Sequence, residues 1–251
     1  MFAWIRALEQ GRQTPVRLVL NKQRTPYRLA AFLGQKLMAD SAAWMAVLKD
    51  SVDLDSGRWD AQNNLLLFLP DTYEVYWTVA PMVFVERMRG EYRRFWSPER
   101  IKRAQAQGLS PREALILASI IEEETQFHAE RPRIAGVYLN RLRIGMPLQA
   151  DPTIKFALGR FDLRRIGLDH TRTVSLYNTY HRTGLPPGPV CIPSKNALNA
   201  VLAPENHSFL FFCADPLRAG THRFATTFAE HTRNAQVYRK SLDRRGVKIQ
   251  S

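Results

Sequence analysis

Cysteine is scarce in this chain, with only Cys191 and Cys213 among 251 residues. A fold held together by several disulfides is therefore excluded. Both cysteines stand beside apolar residues, which favours buried thiols, although one disulfide stays open because nothing in the sequence fixes the redox compartment. A chain of this length buries about 70% of its unfolded surface, so it needs neither disulfides nor a metal to fold.

Long apolar runs are also missing. No segment approaches the ~20 apolar residues that a membrane-spanning helix needs, and no signal peptide is visible. We therefore expect this chain to be soluble. Residues 1–9 have the pattern of the middle of a helix, so we expect the chain to begin inside a longer polypeptide.

The usual motifs for nucleic-acid and metal binding are absent as well. The basic residues are dispersed, without zinc-finger spacing, a basic zipper or an aromatic RNA-binding signature, so we expect no nucleic-acid partner. The six histidines show no close spacing of the kind that metal ligands have. We expect no metal and no cofactor.

Positive charge is present in excess. The chain has 36 Lys and Arg against 23 Asp and Glu, a formal net charge of +13. Such a balance indicates an anionic partner, and an acidic polymer or a membrane surface fits better than nucleic acid.

The most informative segment is Ser110–Thr125, which has the pattern of a buried helix ending in three carboxylates. Ser110 is a good N-cap, Pro111 suits the first helical position and Glu113 completes a capping box. The middle of the segment is apolar on nearly all faces and should lie in the core. Glutamates at the end of such a helix meet its negative dipole end, are partly desolvated and lie beside the like charges of the same run. All three effects favour the protonated form that general acid catalysis needs.

The first part of the chain predicts a small α+β lobe. Thr14–Leu20 alternates as a strand does, Pro26 and Ser41 begin two helices, and Leu65–Leu69 is an apolar run that we interpret as a returning strand. A strand–helix–helix–strand order describes a lobe of the LysM kind. We place this lobe at residues 1–68 and a catalytic domain at residues 69–251.

The second part predicts a mixture of helices and strands. Helices are expected from about Ala80 and about Glu130, and a short one from Asp151 to Gly159. Phe209–Cys213 predicts a buried strand, and Thr227–Ser241 predicts a C-terminal helix.

Three blocks in order resemble the YceG-like endolytic murein transglycosylases, also called the MltG family. The blocks are residues 118–125 (ASIIEEET), 140–153 (NRLRIGMPLQADPT) and 177–189 (YNTYHRTGLPPGP). The resemblance implies an α+β fold, with a LysM-like lobe followed by a lytic transglycosylase domain. It also implies a bacterial cell-envelope protein at the periplasmic, extracytoplasmic face of the inner membrane, anchored by a span that this chain lacks.

The implied reaction is cleavage of the β-1,4 bond between N-acetylmuramic acid and N-acetylglucosamine within glycan strands, leaving 1,6-anhydro ends. One carboxyl group serves as acid and then as base. In the family this is the Glu before a Ser or Thr, which corresponds to Glu124. Glu122 lies about 200° around the helix from it and is the alternative, whereas Glu123 is interpreted as a surface residue.

The same blocks contain candidate substrate-binding residues. An N-cap role is equally open for Asp151, and packing in the core is equally open for Tyr177 and Tyr180. We expect the loop of residues 183–189 to wall the cleft. The candidates are Gln149, Asp151, Thr153, Tyr177, Asn178, Tyr180, Pro186 and Pro187.

The resemblance implies peptidoglycan glycan strands as the partner and roles in cell-wall biogenesis and in elongation or termination of nascent strands. Peptidoglycan synthases are further partners that the family suggests. Two alternatives stay open: a lysozyme-like muramidase, which would use a second carboxylate, and a non-catalytic glycan-binding scaffold.

Overall fold

The computed structural model describes residues 13–50, 52–54 and 57–244, so the expectation for residues 1–9 lies outside the described residues. The chain divides into two compact units, one up to Arg94 and one from Phe95. We expected the division at residues 68 and 69. The assignment of a LysM-like lobe and a catalytic domain stays a prediction.

The first unit is built on an antiparallel strand pair with helices between its strands. Its elements are β1 (Val16–Leu20), α1 (Pro26–Lys36), α2 (Ser41–Lys49), β2 (Val52–Leu54), β3 (Gly57–Trp59), α3 (Ala61–Asn64), a 3-10 helix (Leu65–Leu67), β4 (Asp71–Val75) and α4 (Pro81–Phe95), which crosses into the second unit. β1 pairs with β4 in the register Val16 to Val75 and Leu20 to Asp71. The predicted strand at Thr14–Leu20 and the predicted helices from Pro26, Ser41 and about Ala80 are confirmed.

The predicted strand at Leu65–Leu69 is wrong. The Asp60 carboxylate caps α3 by accepting from the amide of Asn63 (2.8 Å), and the chain continues from α3 into the 3-10 helix. All five residues of the run are buried, and a short run that is apolar throughout does not distinguish a strand from a helical turn. The strand that returns to β1 is β4, whose buried residues are Tyr73 and Val75.

The second unit surrounds one buried helix. Its further elements are α5 (Pro98–Ala106), α6 (Pro111–Glu124), a 3-10 helix (His128–Glu130), α7 (Arg131–Arg143), α8 (Asp151–Leu158), α9 (Leu168–Thr171), α10 (Lys195–Leu202), β5 (Phe211–Ala214), β6 (His222–Ala225) and α11 (Phe228–Arg244). α6 packs against α5, α7, α8 and α10, and α11 packs against the β5–β6 hairpin. The predicted helices from Ser110, about Glu130, Asp151 and Thr227 are confirmed. The strand predicted at Phe209–Cys213 is β5, but it is mostly half-buried, since only its first residue is buried.

No described helix combines the length and the apolar composition that a membrane span requires. The two cysteines are thiols. Cys191 is buried and donates to the carbonyl of Ser119 (3.5 Å), and Cys213 is half-buried.

Candidate active site

Glu124 reaches the site because α6 is a well-capped, apolar helix. The hydroxyl of Ser110 accepts from the amide of Glu113 (3.3 Å), and the carboxylate of Glu113 accepts from the amide of Ser110 (2.8 Å), so the predicted capping box is confirmed. Every residue from Ala114 to Glu122 is buried. Glu124 is the last residue of the helix, with Thr125 as its C-cap, and it is half-buried at the edge of a cavity.

The pKa of Glu124 is raised to about 8, first by desolvation and second by the negative charge of Asp151. A hydrogen bond donated by the Tyr138 hydroxyl, together with the charges of Lys155 and Arg141, opposes this rise in the pKa. We expected the like charge to come from the neighbouring glutamates of the run. The structure corrects this, because the carboxylate that raises the pKa comes from the start of α8.

Glu122, in contrast to Glu124, is held in an ion pair and hydrogen bonds that connect helices of the fold. Its carboxylate pairs with the guanidinium of Arg131 (3.1 Å), which is 1% exposed, and accepts from the hydroxyl and amide of Ser194. Arg131 donates in turn to the Ser194 hydroxyl (2.9 Å) and to Asn196 (3.0 Å). Glu122 therefore joins α6 and α7 to the first turn of α10, and it does not line the cavity.

Asp151 is not an N-cap. The N-cap of α8 is Ala150, and Asp151 is the first helical residue. Its carboxylate accepts a hydrogen bond from the hydroxyl of Tyr180, and burial raises its pKa. A second carboxylate thus faces the same cavity as Glu124.

Gln149 lies just before this helix in a left-handed conformation, with φ of 49°. This conformation is uncommon for a residue with a side chain and occurs often at functional sites. The backbone N–H of Gln149 donates to the carbonyl of Thr179 (2.9 Å), and this bond fixes the segment. Gln149 lines the cavity.

The cavity has a volume of about 430 Å³. It brings together four of the predicted site residues, Glu124, Gln149, Asp151 and Tyr180. The other residues that line it are Arg141, Leu148, Phe212, Cys213, Ala214, His222, His231, Tyr238 and Arg239.

Three other candidates contact neighbouring residues and do not line this cavity. Thr153 is fully buried and bonds to Ala150 and Thr179. The Asn178 amide donates to the carbonyls of Thr171 and Thr173, and its oxygen accepts from the amide of Tyr180 (2.9 Å). The Tyr177 ring packs on Phe156, with centroids 4.6 Å apart.

The two remaining candidates lie elsewhere. Pro186 and Pro187 line another cavity, of about 510 Å³, together with Arg112 and Arg143. The carbonyl of Pro187 accepts from Arg112 (2.6 Å). The loop of residues 183–189 therefore walls that cavity and not the one beside Glu124.

Sequence reasoning missed the wall that the C-terminal part of the chain contributes. His222 is the last residue of a Gly-Thr-His sequence, and its Nδ1 lies 2.8 Å from the carboxylate of Glu130. His231 on α11 stacks on Phe211 (5.2 Å), and burial together with the charges of Arg141 and Arg239 lowers its pKa. Helical periodicity does not indicate that α11 faces a cavity.

Tyr138 on α7 also belongs to the site, although sequence reasoning did not place it there. It is 1% exposed, its ring meets Phe212 edge-on (5.7 Å), and its hydroxyl donates to Glu124.

In the part of the chain that the structure describes, no three His, Cys, Asp or Glu side chains are grouped as a metal site would require.

Comparisons with known proteins show which proteins this chain is similar to. A Bacillus subtilis protein named endolytic murein transglycosylase is 38% identical over 130 residues, which is 52% of this chain and 35% of that protein. A Streptococcus pneumoniae D39 protein of the same name is 29% identical over 213 residues, 82% of this chain and 38% of that protein. The chain thus spans little more than a third of the length of these relatives.

A solved structure and a family pattern extend the likeness over most of the chain. The crystal structure of a YceG-like protein from Listeria monocytogenes superposes with a TM-score of 0.69 at 25% identity, covering 92% of this chain and 80% of that one. The pattern of the YceG-like family matches residues 1–237. Because this match leaves only the last residues of the chain outside it, the chain belongs to the YceG-like family.

Proposed function

We propose that the chain is an endolytic murein transglycosylase. It would cut the β-1,4 bond between N-acetylmuramic acid and N-acetylglucosamine inside peptidoglycan strands, with Glu124 as acid and then base. The observation that carries this proposal is the environment of Glu124. It lines a cavity, receives a hydrogen bond from Tyr138 and has a pKa raised to about 8, so it holds its proton at neutral pH.

In the first step, the protonated carboxyl of Glu124 donates its proton to the glycosidic oxygen. The bond between this oxygen and C1 of the muramic acid breaks, and positive charge develops on C1 and the ring oxygen. The carboxylates of Glu124 and Asp151 in the same cavity stabilise that charge. The leaving sugar departs with a new hydroxyl group.

In the second step, the carboxylate of Glu124 takes the proton from the C6 hydroxyl of the same muramic acid. The C6 oxygen then bonds to C1 and closes the 1,6-anhydro ring. Glu124 is protonated again at the end of the cycle. No water enters the product, so one acid–base carboxyl is sufficient.

This activity places the protein in the bacterial cell envelope, at the extracytoplasmic face of the inner membrane where glycan strands are made. Its roles would be in cell-wall biogenesis and in the elongation or termination of nascent strands. Peptidoglycan synthases are the partners such a role requires. The net charge of +13 suits an anionic polymer as substrate.

The second candidate is a lysozyme-like muramidase, and the position of Asp151 favours it. Asp151 faces the same cavity as Glu124, so it could serve as a nucleophile or activate a water. Against this role, its carboxylate is already hydrogen-bonded by Tyr180. The two activities differ in their products, because hydrolysis adds one water to each bond cut and leaves a reducing end, whereas transglycosylation adds none and leaves a 1,6-anhydro end.

Three variants of the 251-residue chain test the assignment of Glu124. Glu124→Gln should lower the release of fragments from purified strands by about 10⁴-fold or more, because an amide of the same shape cannot donate and reclaim a proton. Glu123→Gln should cleave at nearly the parent rate. Glu122→Gln should retain cleavage but lose about 3 kcal/mol of stability, because it leaves the buried Arg131 without its counter-charge.

Chromatography of the digests and thermal unfolding of each variant provide the measurements. Near-normal cleavage by a folded Glu124→Gln chain would overturn the assignment. Binding of strands without release of fragments by the unaltered chain would instead favour the non-catalytic scaffold.

A further inference from the structure

A third cavity, also of about 510 Å³ but distinct from the one that Pro186 and Pro187 line, opens directly beside the one that contains Glu124. The two cavities have four lining residues in common, namely Asp151, Tyr180, Tyr238 and Arg239. They therefore form one continuous cleft. The residues that line only its second half have no role in the chemistry proposed for Glu124, so this half is available for another part of a bound strand.

The second half of the cleft is basic. Arg164 and Arg165 line it from the segment before α9, and Arg239 lines it from α11. Among the described residues around this cavity, Asp151 is the only carboxylate, and it accepts a hydrogen bond from Tyr180. Three guanidinium groups thus face one carboxylate that already has a partner, and the excess of positive charge favours an anion here.

The donors indicate which anion would bind. A guanidinium group presents parallel N–H donors that match the two oxygens of a carboxylate, whereas neutral sugar rings are bound through hydroxyl groups and stacking. On the proposed function, the strand in this cleft carries a lactyl ether on every second sugar, and each lactyl group bears a peptide with carboxylates. The lactyl–peptide arm is therefore the acidic part of such a strand.

We propose that the cavity lined by Arg164, Arg165 and Arg239 is a subsite that binds a carboxylate of the lactyl–peptide arm. The inference rests on the proposed function, since it identifies the part of the strand that the second half of the cleft selects. Arg164 and Arg239 are exposed, so a carboxylate reaches them without rearrangement of the protein. Selection of the arm sets which sugar lies at Glu124.

The test measures binding of glycan strands to the 251-residue Glu124→Gln chain, which on the proposed function should hold strands without cutting them. Arg164→Gln and Arg239→Gln should each weaken binding of peptide-bearing strands by about fivefold, the loss expected for one partly exposed charge pair. Arg233→Gln is the matched control, because Arg233 is exposed on the same helix as Arg239 and lines neither cavity. It should bind as the parent does.

A second set of strands, with carboxylates converted to amides, shows whether the loss depends on the substrate's charge. The arginine variants should bind these strands as tightly as the parent chain does. Equal weakening on both kinds of strand, or equal weakening by Arg233→Gln, would overturn the proposal. Strands stripped of their peptides expose the lactyl carboxyl, which the peptide otherwise holds as an amide. An arginine-dependent affinity that persists shows that the subsite lies within reach of this first carboxyl of the arm, and one that disappears assigns a carboxylate further along the peptide.

Cleavage by the unaltered chain separates the two proposals. If that chain cuts peptide-bearing strands but the arginine variants bind them as the parent does, the subsite is overturned and the transglycosylase activity stands. If the chain releases nothing and binding still depends on Arg164 and Arg239, the activity is overturned and the carboxylate site is supported.

Discussion

At the scale of single residues, the proton on Glu124 is controlled by two neighbours with opposite effects. The negative charge of Asp151 raises the pKa of Glu124, and the hydrogen bond from Tyr138 lowers it. Both neighbours are held in place, Tyr138 by burial against Phe212 and Asp151 by Tyr180. The pH at which the acid loses its proton is therefore adjustable in either direction by a single substitution.

Tyr138→Phe should move the alkaline limb of activity to higher pH. The hydroxyl stabilises the carboxylate form, so its loss raises the pKa of Glu124 further and the acid form persists longer. We expect cleavage at neutral pH to fall about tenfold, the effect of one lost hydrogen bond to a charged group. The measurement is the dependence of kcat/KM on pH, and a limb that stays in place or moves to lower pH would contradict the assigned role.

Asp151→Asn should move the same limb to lower pH. Removal of the negative charge makes ionisation of Glu124 easier, so its pKa falls and the acid form is lost earlier. Activity should decrease by only a few-fold, about 1 kcal/mol. Asp169→Asn, at a carboxylate that is 94% exposed, is the control. A loss as complete as that of Glu124→Gln would indicate a second essential carboxylate, and therefore hydrolysis.

At the scale of elements, α7 positions the cavity wall as well as the hydroxyl of Tyr138. The Asn140 amide donates to the carbonyls of His207 and Phe209, and Arg141 donates to the carbonyl of Leu210 (2.6 Å). These bonds hold the backbone that leads into β5, whose residues 212–214 line the cavity. The Asn-Arg pair in the second sequence block thus supports the site from behind.

Gly136 allows this close approach. A Cβ atom added there would lie 2.6 Å from the carbonyl oxygen of Glu205 and 2.6 Å from Nε2 of His207. Gly136→Ala should destabilise the chain by about 2 kcal/mol, because the clash with backbone outweighs the gain in helix propensity of about 1 kcal/mol. Gly90→Ala should stabilise the chain instead, because a Cβ atom added at this position of α4 would meet no atom within 4 Å. Calorimetric unfolding measures both, and equal effects would contradict this packing.

Elements with a clear period or cap were predictable, and others were not. Ser110 and Glu113 predicted the start of α6, and the alternation of Leu18 and Leu20 predicted β1. The run at 65–69 was misassigned because its burial comes from the packing around it and leaves no period in the sequence. Pairing between β1 and β4 also explains why the first unit extends past residue 68.

At the scale of the whole molecule, the site combines elements that are distant in sequence. The blocks around Glu124, Gln149 and Tyr180 identified one side of the cavity. The opposite side comes from the β5–β6 hairpin and α11, more than eighty residues after Glu124. The hairpin is held in place by hydrogen bonds between residues that are distant in sequence, so no local sequence pattern predicts where it packs.

The site should also cost the folded chain stability as pH rises. The pKa of Glu124 is about 8 in the folded chain against an ordinary 4.5. Between these values the folded chain retains a proton that the unfolded chain releases, so its stability falls as pH rises through this window. Glu124→Gln lacks this cost and should be more stable by on the order of 1–3 kcal/mol at the upper end, after allowance for the partial exposure of the group. Unfolding from pH 4 to 9 measures the gap, and a gap independent of pH would contradict the raised pKa.

The most direct measurement of the central claim is digestion of purified glycan strands in water enriched in heavy oxygen, with the new ends identified by mass spectrometry. If Glu124 acts alone as acid and then base, the unaltered chain produces 1,6-anhydro ends that contain no heavy oxygen, and Glu124→Gln produces none. Reducing ends that carry heavy oxygen, formed by the unaltered chain, would contradict the account and assign the activity to a hydrolase.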